Sequence, residues 1–380
     1  MIDREIQNLM HGVFQVLRLV LGICCLSGCD VLQELDSGSA PAENPESLSI
    51  LTWNIQALFD GVEEGNEYDE YLTKAGWSDE KYRARLTGIA QGIDRIAGGP
   101  PDIIGFQEVE NGEVLRVLAE EALSKHNYNW TFFARNAGAS LGIGVLSRFP
   151  FTKTVSHSIF NNSKAAPRPV LELWTRPGGT DLVIFVCHWK SKLGGDDATE
   201  ELRRASARVL MRRIREIGEE KPETPVIIMG DLNENHDEFY RRAGSVISAL
   251  LPDDPKAAEL ADSAGNGAGA EEGRRRDFLL ISREKPPVPE YFDSETEIFY
   301  SPWGNELQQG SYNYKNEWET IDHFLMTGEL FDKRGWDFHS GRVIDQEPFI
   351  SAYGIPNAYN PRTGNGLSDH LPLILNLIRH

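Results

Sequence analysis

Six short islands along the chain carry the side chains able to do chemistry: Trp53-Asn54-Ile55-Gln56, Phe106-Gln107-Glu108, Cys187-His188-Trp189-Lys190-Ser191-Lys192, Met229-Gly230-Asp231-Leu232-Asn233, Ile321-Asp322-His323 and Ser368-Asp369-His370. Each places a carboxylate, an amide or an imidazole at or near the end of an apolar, strand-like run. Carboxylate and amide oxygens are the ligands of a hard divalent cation, and imidazoles move protons and contact phosphate. Together they are the equipment for metal-assisted hydrolysis of a phosphate ester.

Within the islands, spacing assigns roles. Asn54 and Gln56 are two residues apart and share a face of an extended chain, where an amide holds a water or a phosphate oxygen. Glu108 closes a buried run, and a carboxylate there is costly unless it is paired or binds a cation. Gly230 permits a sharp exit from an apolar strand. Beyond it, Asp231 is placed to orient an attacking water and Asn233 to hold a phosphate oxygen. Asp369 suits a metal ligand and His370 a general acid/base or phosphate contact, with Asp322 as the carboxylate that sets its tautomer. His323, the neighbour of Asp322, points elsewhere and reads as structural. His188 is a second candidate acid or phosphate contact. Lys190 and Lys192 continue its alternation and are either phosphate neutralisers or solvated loop lysines. Cys187 lies on the opposite face from His188 and reads as a buried structural cysteine rather than a nucleophile.

These islands need strands to hold them. Apolar, β-prone runs place strands at 48–53, 102–106, 130–135, 141–148, 170–174, 182–188, 226–229, 278–281, 320–326 and 371–378. Helical spacing marks 78–97, where Tyr82, Leu86, Ile89, Ile93 and Ile96 share a face behind a Ser78 cap, and 111–124, with Val114, Leu115, Leu118 and Leu123 inward. A third helix is expected at 200–217, with Leu202, Val209, Leu210, Ile214 and Ile217 on its apolar side. Its arginines at 203, 204, 208, 212, 213 and 215 read as a solvated face rather than a nucleic-acid stripe. A fourth is expected from about 236 to 250, and 252–276 reads mainly as a surface excursion. Strands dominate with helices interleaved, which is an α/β layered domain with one catalytic edge.

Composition bounds the rest. With 380 residues, 40% hydrophobic and 25% charged, the chain is long and apolar enough for a large core. A net charge of −20 does not suit a protein that grips nucleic acid through a broad basic surface. It leaves room for a nuclease, because a cation and a few local Lys and Arg hold one or two phosphates. At the N-terminus, the apolar run 13–26 has the length of a signal h-region and is too short for a membrane span. It ends in Leu26-Ser27-Gly28-Cys29, which resembles a bacterial lipoprotein processing site. That resemblance implies a signal peptide over 1–28, a lipidated Cys29 with a flexible tether over 29–47, and a folded domain over 48–380. The protein would then be lipid-anchored on a periplasmic or cell-surface face; a simple secretory signal or a buried apolar segment is the alternative. Cys187 alone would remain in the mature domain, excluding an intrachain disulfide.

In this order, Asn54, Glu108, His188, Asp231 with Asn233, Asp322, and Asp369 with His370 resemble the motif series of the endonuclease/exonuclease/phosphatase superfamily, over the whole of 48–380. The resemblance implies a four-layer α/β sandwich of two packed mixed β-sheets flanked by helices, and a need for Mg²⁺ or Mn²⁺. It makes Glu108 the principal metal ligand, with Asn54 and Asp369 close by. It gives Asp231 the water, Asn233, His188 and His370 the phosphate, and Asp322 the support of His370. It makes Arg168 a phosphate contact, beside Lys190, which the alternation from His188 already offers as one. Water then attacks phosphorus in line, with no covalent intermediate. The chain lacks the Pro-Ala-Trp-Cys-Asp-Arg-like run of the inositol phosphatases, reading Trp318-Glu319-Thr320-Ile321-Asp322-His323 instead. His188 to Lys192 and Ser311-Tyr312-Asn313-Tyr314 are most similar to exported bacterial nuclease-type members. DNA or RNA outside the cell, cleaved by a monomer, is therefore the expected substrate. A sphingomyelinase or phospholipase C with aromatics at 300–303 or 312–318 dipping into a bilayer, a phosphomonoesterase, and a surface lipoprotein that binds without turnover are the alternatives.

Overall fold

The strand that carries Asn54 shows how the molecule is layered. In β1 (Ser47–Leu58), Leu48 and Ile50 lie in one hydrophobic cluster and Leu51, Trp53 and Ile55 in another. A strand with both faces apolar has to be covered on both sides. The computed structural model of the protein describes residues 45–161, 164–166, 168–263, 276–293 and 296–380, and the expectations for 1–44, Cys29 among them, lie outside these residues.

The remaining strands are β2 (Ile103–Val109), β3 (Trp130–Ala134), β4 (Gly142–Ser147), β5 (Phe151–His157), β6 (Phe160–Asn161), β7 (Lys164–Ala165), β8 (Val170–Thr175), β9 (Leu182–His188), β10 (Val226–Asp231), β11 (Leu250–Pro252), β12 (Leu279–Ser282), β13 (Ile298–Tyr300), β14 (Tyr312–Tyr314), β15 (Glu317–Glu319), β16 (Asp322–Met326), β17 (Trp336–Val343) and β18 (Leu373–Arg379). They form a six-stranded sheet in the order β17-β18-β1-β2-β4-β3 and an eight-stranded sheet in the order β11-β12-β13-β16-β10-β9-β8-β5. Two small hairpins, β14-β15 and β6-β7, stand apart from them. Both large sheets mix parallel and antiparallel neighbours. They face each other across a core that includes Ile50, Ile103, Ile184, Val186, Ile227, Met229, Phe324 and Leu375. Helices α1 (Asp79–Asp94) and α2 (Gly112–Val117) cover the outer face of the six-stranded sheet, and α3 (Asp196–Glu220) covers the other. The architecture is the four-layer α/β sandwich that the motif series implied.

Two glycines permit close approaches. A Cβ on Gly105 would stand 2.5 Å from the Met229 Cε of the facing sheet. Gly230, at φ +130°, would place one 2.0 Å from the Cys187 carbonyl oxygen, so no other residue fits there.

Three expectations change. The helix expected over 236–250 is only α4 (Glu238–Arg241), because Ala243 and Gly244 take left-handed φ of +56° and +60° and close it off. The run expected at 111–124 is helical in α2 and then continues as a π-type turn, Leu118–Ala122. The 252–276 excursion contains α5 (Pro255–Ser263), which buries Ala257 and Ala261 in a satellite core with Phe239, Phe278 and Leu280; 264–275 lie outside the described residues. Among the described residues no helix is long and apolar enough to cross a membrane.

Candidate active site

The same period of two that fills the space between the sheets delivers the polar groups to one end of it. On β9 the inward stripe Leu182, Ile184, Val186 ends in His188, and on β10 the stripe Ile227, Met229 ends in Asp231. On β16, Met326 and Phe324 lead back to Asp322. In the register of the sheet, Asp231 pairs with His188 on one side and Asp322 on the other, so three polar residues stand abreast. Across the gap, β1 brings Asn54, whose Nδ2 donates to Asp231 Oδ2 at 3.0 Å. The sheets are thus joined at this edge by an amide–carboxylate bond instead of apolar contact. Cys187, one residue away, is buried in the outer core with Val183 and Phe185, on the opposite face from His188.

His370 enters from the segment before β18. Its backbone carbonyl accepts from Trp53 Nε1 at 3.1 Å, and the Ser368 hydroxyl donates to the Asn54 carbonyl at 2.6 Å. Its Nδ1 lies 2.7 Å from Asp322 Oδ2, which also accepts from Ser311 Oγ at 2.6 Å. Burial alone would lower the His370 pKa, but the Asp322 carboxylate bonded to it raises it to about 10. His370 is therefore a held imidazolium. Asp231 goes up, to about 7, through burial and the adjacent Asp322 charge. His188 is pushed the other way by burial and by the positive charges of Arg168, His370 and Lys190, and so is neutral. Its Nε2 lies 3.5 Å from Asp231 Oδ2 and 3.9 Å from Glu108 Oε1.

Glu108 sits in strained backbone. Its φ is +68°, and Gln56, Ala57 and Asn233 also have positive φ, at +51°, +54° and +52°. Non-glycine residues rarely hold this conformation unless their surroundings enforce it. Here the enforcement is visible. Ala57 N–H donates to Glu108 Oε2 at 2.9 Å, and Asn233 N–H donates to Asp231 Oδ1 at 3.0 Å. Asn233 Nδ2 donates to the Trp189 carbonyl at 3.2 Å. The bend moves Gln56 out of register with Asn54. Its amide ties down the His370 segment, accepting from Tyr359 N–H at 2.7 Å and Asp369 N–H at 3.1 Å. Gln56 is a clamp, not a ligand.

Asp231, Asp322 and His370 offer ligand atoms within 4.8 Å of one another. In that group His370 Nδ1 and Asp322 Oδ2 are bonded to each other, which leaves Asp322 Oδ1 and His370 Nε2. The other set is made of oxygen donors. Glu108 is partly open to solvent, Asp369 is half-buried with its carboxyl held above the usual range chiefly by burial, and Asn54 Oδ1 accepts from Gln56 N–H. An all-oxygen set with two carboxylates suits Mg²⁺ or Mn²⁺. Among the described residues, buried Asp322 Oδ1 and His188 Nδ1 have no hydrogen-bond partner, a further sign of a site built to receive something.

Other candidates sit further out. Arg168 is half-buried and close enough to act on the His188 charge. Lys190 Nζ is engaged by the Ser191 carbonyl and hydroxyl and the Leu193 carbonyl, at 3.0–3.1 Å. Lys192 pairs with Glu238 at 2.6 Å. His323 is fully buried and bonds the Glu234 carbonyl at 2.8 Å, the structural role its position indicated.

Sequence reasoning missed two arginines. Arg203 belongs by sequence to a solvated face, but it is fully buried. It joins Glu234 and Glu200 and donates to the Lys190 carbonyl at 3.2 Å, tying the His188 loop to the Asp231 loop. Its signal was its spacing: 203, 207, 210, 214 and 217 form one inward stripe of α3. Arg85 likewise lies on the inward stripe of α1 with Leu86 and Ile89. Its Nη2 donates to the carbonyls of Ile55 and Gln56, and its guanidinium lies 3.6 Å from the Tyr359 ring centroid. It holds the strained bend that presents Ala57 N–H to Glu108.

Two packed sheets with acid, amide and imidazole groups converging at one edge define a hydrolase of the phosphoester-cleaving class. The profile of the Endonuclease/Exonuclease/phosphatase family matches residues 49–263, more than half of the chain, and the chain belongs to that family. It is one of metal-dependent phosphoesterases. Similar solved structures include truncated TDP2 from Caenorhabditis elegans, at 16% identity over 87% of this chain and 97% of that one, with a TM-score of 0.49. They also include D. rerio TDP2 complexed with single-strand DNA product, at 15% identity over 88% and 99%, TM-score 0.48. A family protein from Bacteroides thetaiotaomicron matches at 14% identity over 87% and 95%, TM-score 0.48. Among curated proteins no sequence matches the chain.

Proposed function

We propose that the protein is a divalent-metal-dependent phosphodiesterase that cuts nucleic acid outside the cytoplasm. The observation that carries the reading is the convergence of Asn54, Glu108, His188, Asp231, Asp322 and His370, from both sheets and the segment before β18, on one edge of the sandwich. Glu108, Asn54 and Asp369 would hold Mg²⁺ or Mn²⁺, which supplies charge neutralisation at the phosphate and the leaving oxygen. Asp231, with Oδ1 fixed by Asn233 N–H and Oδ2 by Asn54, orients the attacking water and accepts its proton. His370, held as imidazolium by Asp322, donates to the phosphate and stabilises its growing charge. Neutral His188 and Asn233 add hydrogen bonds, and Arg168 adds positive charge nearby. The groups are set before the substrate arrives, so little reorganisation is needed.

The N-terminal pattern ending at Cys29 supports a lipid-anchored location, with 1–28 removed, 29–47 as tether and 48–380 as the catalytic domain. A sphingomyelinase-type reading draws less support. Tyr300 and Trp303 are core residues and Trp318 packs against the core, which leaves the half-exposed Tyr314, with Glu317 opposite it, as the aromatic open to solvent in these two segments. The test is a side-by-side release assay with plasmid DNA, RNA, sphingomyelin vesicles and inositol phosphates, with Mg²⁺ or Mn²⁺ and an EDTA control. Metal-dependent nicking that disappears in Glu108→Ala, with the fold intact by circular dichroism, is expected. Turnover of lipid or inositol phosphate alone would overturn the substrate, and full activity in Glu108→Ala would overturn the metal assignment.

A further inference from the structure

The hairpin β14-β15 is built around a feature the catalytic scheme does not use. It is closed by Lys315 and Asn316, both at positive φ, +52° and +69°, the backbone of the tight turns that match strand twist. Its two faces differ. Trp318, cross-strand partner of Asn313, packs on the core cluster beneath the six-stranded sheet and anchors the hairpin. The other face carries Tyr312 and Tyr314, side by side with rings 6.5 Å apart and only 12° from parallel. Tyr312 covers the catalytic imidazole, its ring centroid 4.6 Å from that of His370, and the two backbones form a β-bridge. Tyr314 continues this wall outward and is 50% exposed.

Resting on the nucleic-acid reading above, we propose that Tyr312 and Tyr314 form a stacking platform for a nucleobase of the strand being cut, next to the phosphate held by His370. Rings spaced 4.6 Å and then 6.5 Å lead outward from His370 through Tyr312 to Tyr314, so on this reading the base of an adjoining nucleotide would meet the exposed ring. Base–aromatic stacking is indifferent to base identity, as a nuclease without sequence preference requires. A bilayer is a poor occupant of the same face. Glu317 and Glu319 stand directly opposite Tyr314 and Tyr312 in the hairpin register, so inserting these rings would drag two carboxylates into lipid. The Lys315 ammonium, 4.9 Å from the Tyr314 ring centroid, adds a cation at the rim where the backbone of the strand would pass. Tyr314 is thus a substrate-positioning residue, and the wall it extends also fixes the His370 ring.

The experiment compares kcat and KM of the full-length protein with Mg²⁺ on a short deoxyoligonucleotide and on its analogue with abasic residues throughout. For Tyr314→Ala, KM on the base-bearing strand should rise about tenfold, the size of one lost stacking contact, with kcat little changed. On the abasic strand, variant and wild type should have the same KM, and Tyr314→Phe should restore the wild-type KM on the base-bearing one. An equal loss on both strands, or none on either, would overturn the platform while leaving the nuclease reading in place. Cleavage of bis(p-nitrophenyl) phosphate but of neither strand by the wild type would overturn both.

Discussion

At the residue scale the site separates the proton inventories of its two histidines. Both are buried in one cluster, yet Asp322 raises His370 and desolvation lowers His188. The largest part of the difference is one neighbour, the carboxylate oxygen 2.7 Å from His370 Nδ1. Asp322→Asn keeps the shape and removes the charge. We expect kcat to fall by about 10²–10⁴, the usual worth of a positioned proton donor or acceptor, with KM nearly unchanged. NMR titration should show the His370 pKa dropping toward or below the ordinary histidine value. A variant with native kcat, or with an unmoved His370, would mean that Asp322 does not set the charge of the imidazole. Most of these residues were legible in sequence, because His188, Asp231 and Asp322 terminate period-two apolar stripes and the side-chain direction follows from alternation alone. Gln56 was not. Alternation puts it on the face of Asn54, and only the left-handed bend at Gln56 and Ala57 turns it toward Asp369. Ser311 was legible only as part of the Ser311-Tyr312-Asn313-Tyr314 resemblance; its spacing, eleven residues before Asp322, did not announce the hydrogen bond between them.

At the scale of elements, strands buried on both faces announced themselves and polar ones did not. The apolar run predicts β9 to the residue, and β10 two residues short, because its last two are glycine and aspartate. β5 was missed: an edge strand reading Phe-Thr-Lys-Thr-Val-Ser-His lies against solvent and has no apolar run to detect. In α3 the stripe was periodic, but an arginine at its head reads as solvent-facing unless a carboxylate elsewhere is known to meet it. Glu234, fully buried and 31 residues away, is that partner, and the pair locks α3 against the segment after Asp231. Arg203→Met should leave Glu234 buried without its cation, while Glu200 keeps Arg242, and removing one member of such a network costs about 3–5 kcal/mol. Urea unfolding measures it, and replacing Glu234 by Met as well should recover part of the loss, because the uncompensated charge then goes too. A single substitution costing under about 1 kcal/mol would mean that the network does not hold the loops.

At the scale of the whole molecule the charge sets a condition on any nucleic-acid substrate. A net charge of −20 repels a polyanion at distance, and attraction would be local to Arg168, the His370 imidazolium and the divalent cation proposed at Glu108, Asn54 and Asp369. Most nucleic-acid enzymes lose affinity steeply as salt rises, because released counterions no longer drive binding. For this chain the long-range term has the opposite sign. Raising NaCl from about 10 to 150 mM shortens the Debye length from roughly 30 to 8 Å, which screens the repulsion of the body while leaving contacts of a few ångström largely intact. We therefore expect kcat/KM on plasmid DNA, at fixed saturating Mg²⁺, to rise or hold level across that range. On a small diester such as bis(p-nitrophenyl) phosphate the dependence should be weaker, because a single negative charge feels little of the far field. A fall of about tenfold or more on DNA would mean that a cationic track, and not the cation-centred cluster between the sheets, supplies most of the binding.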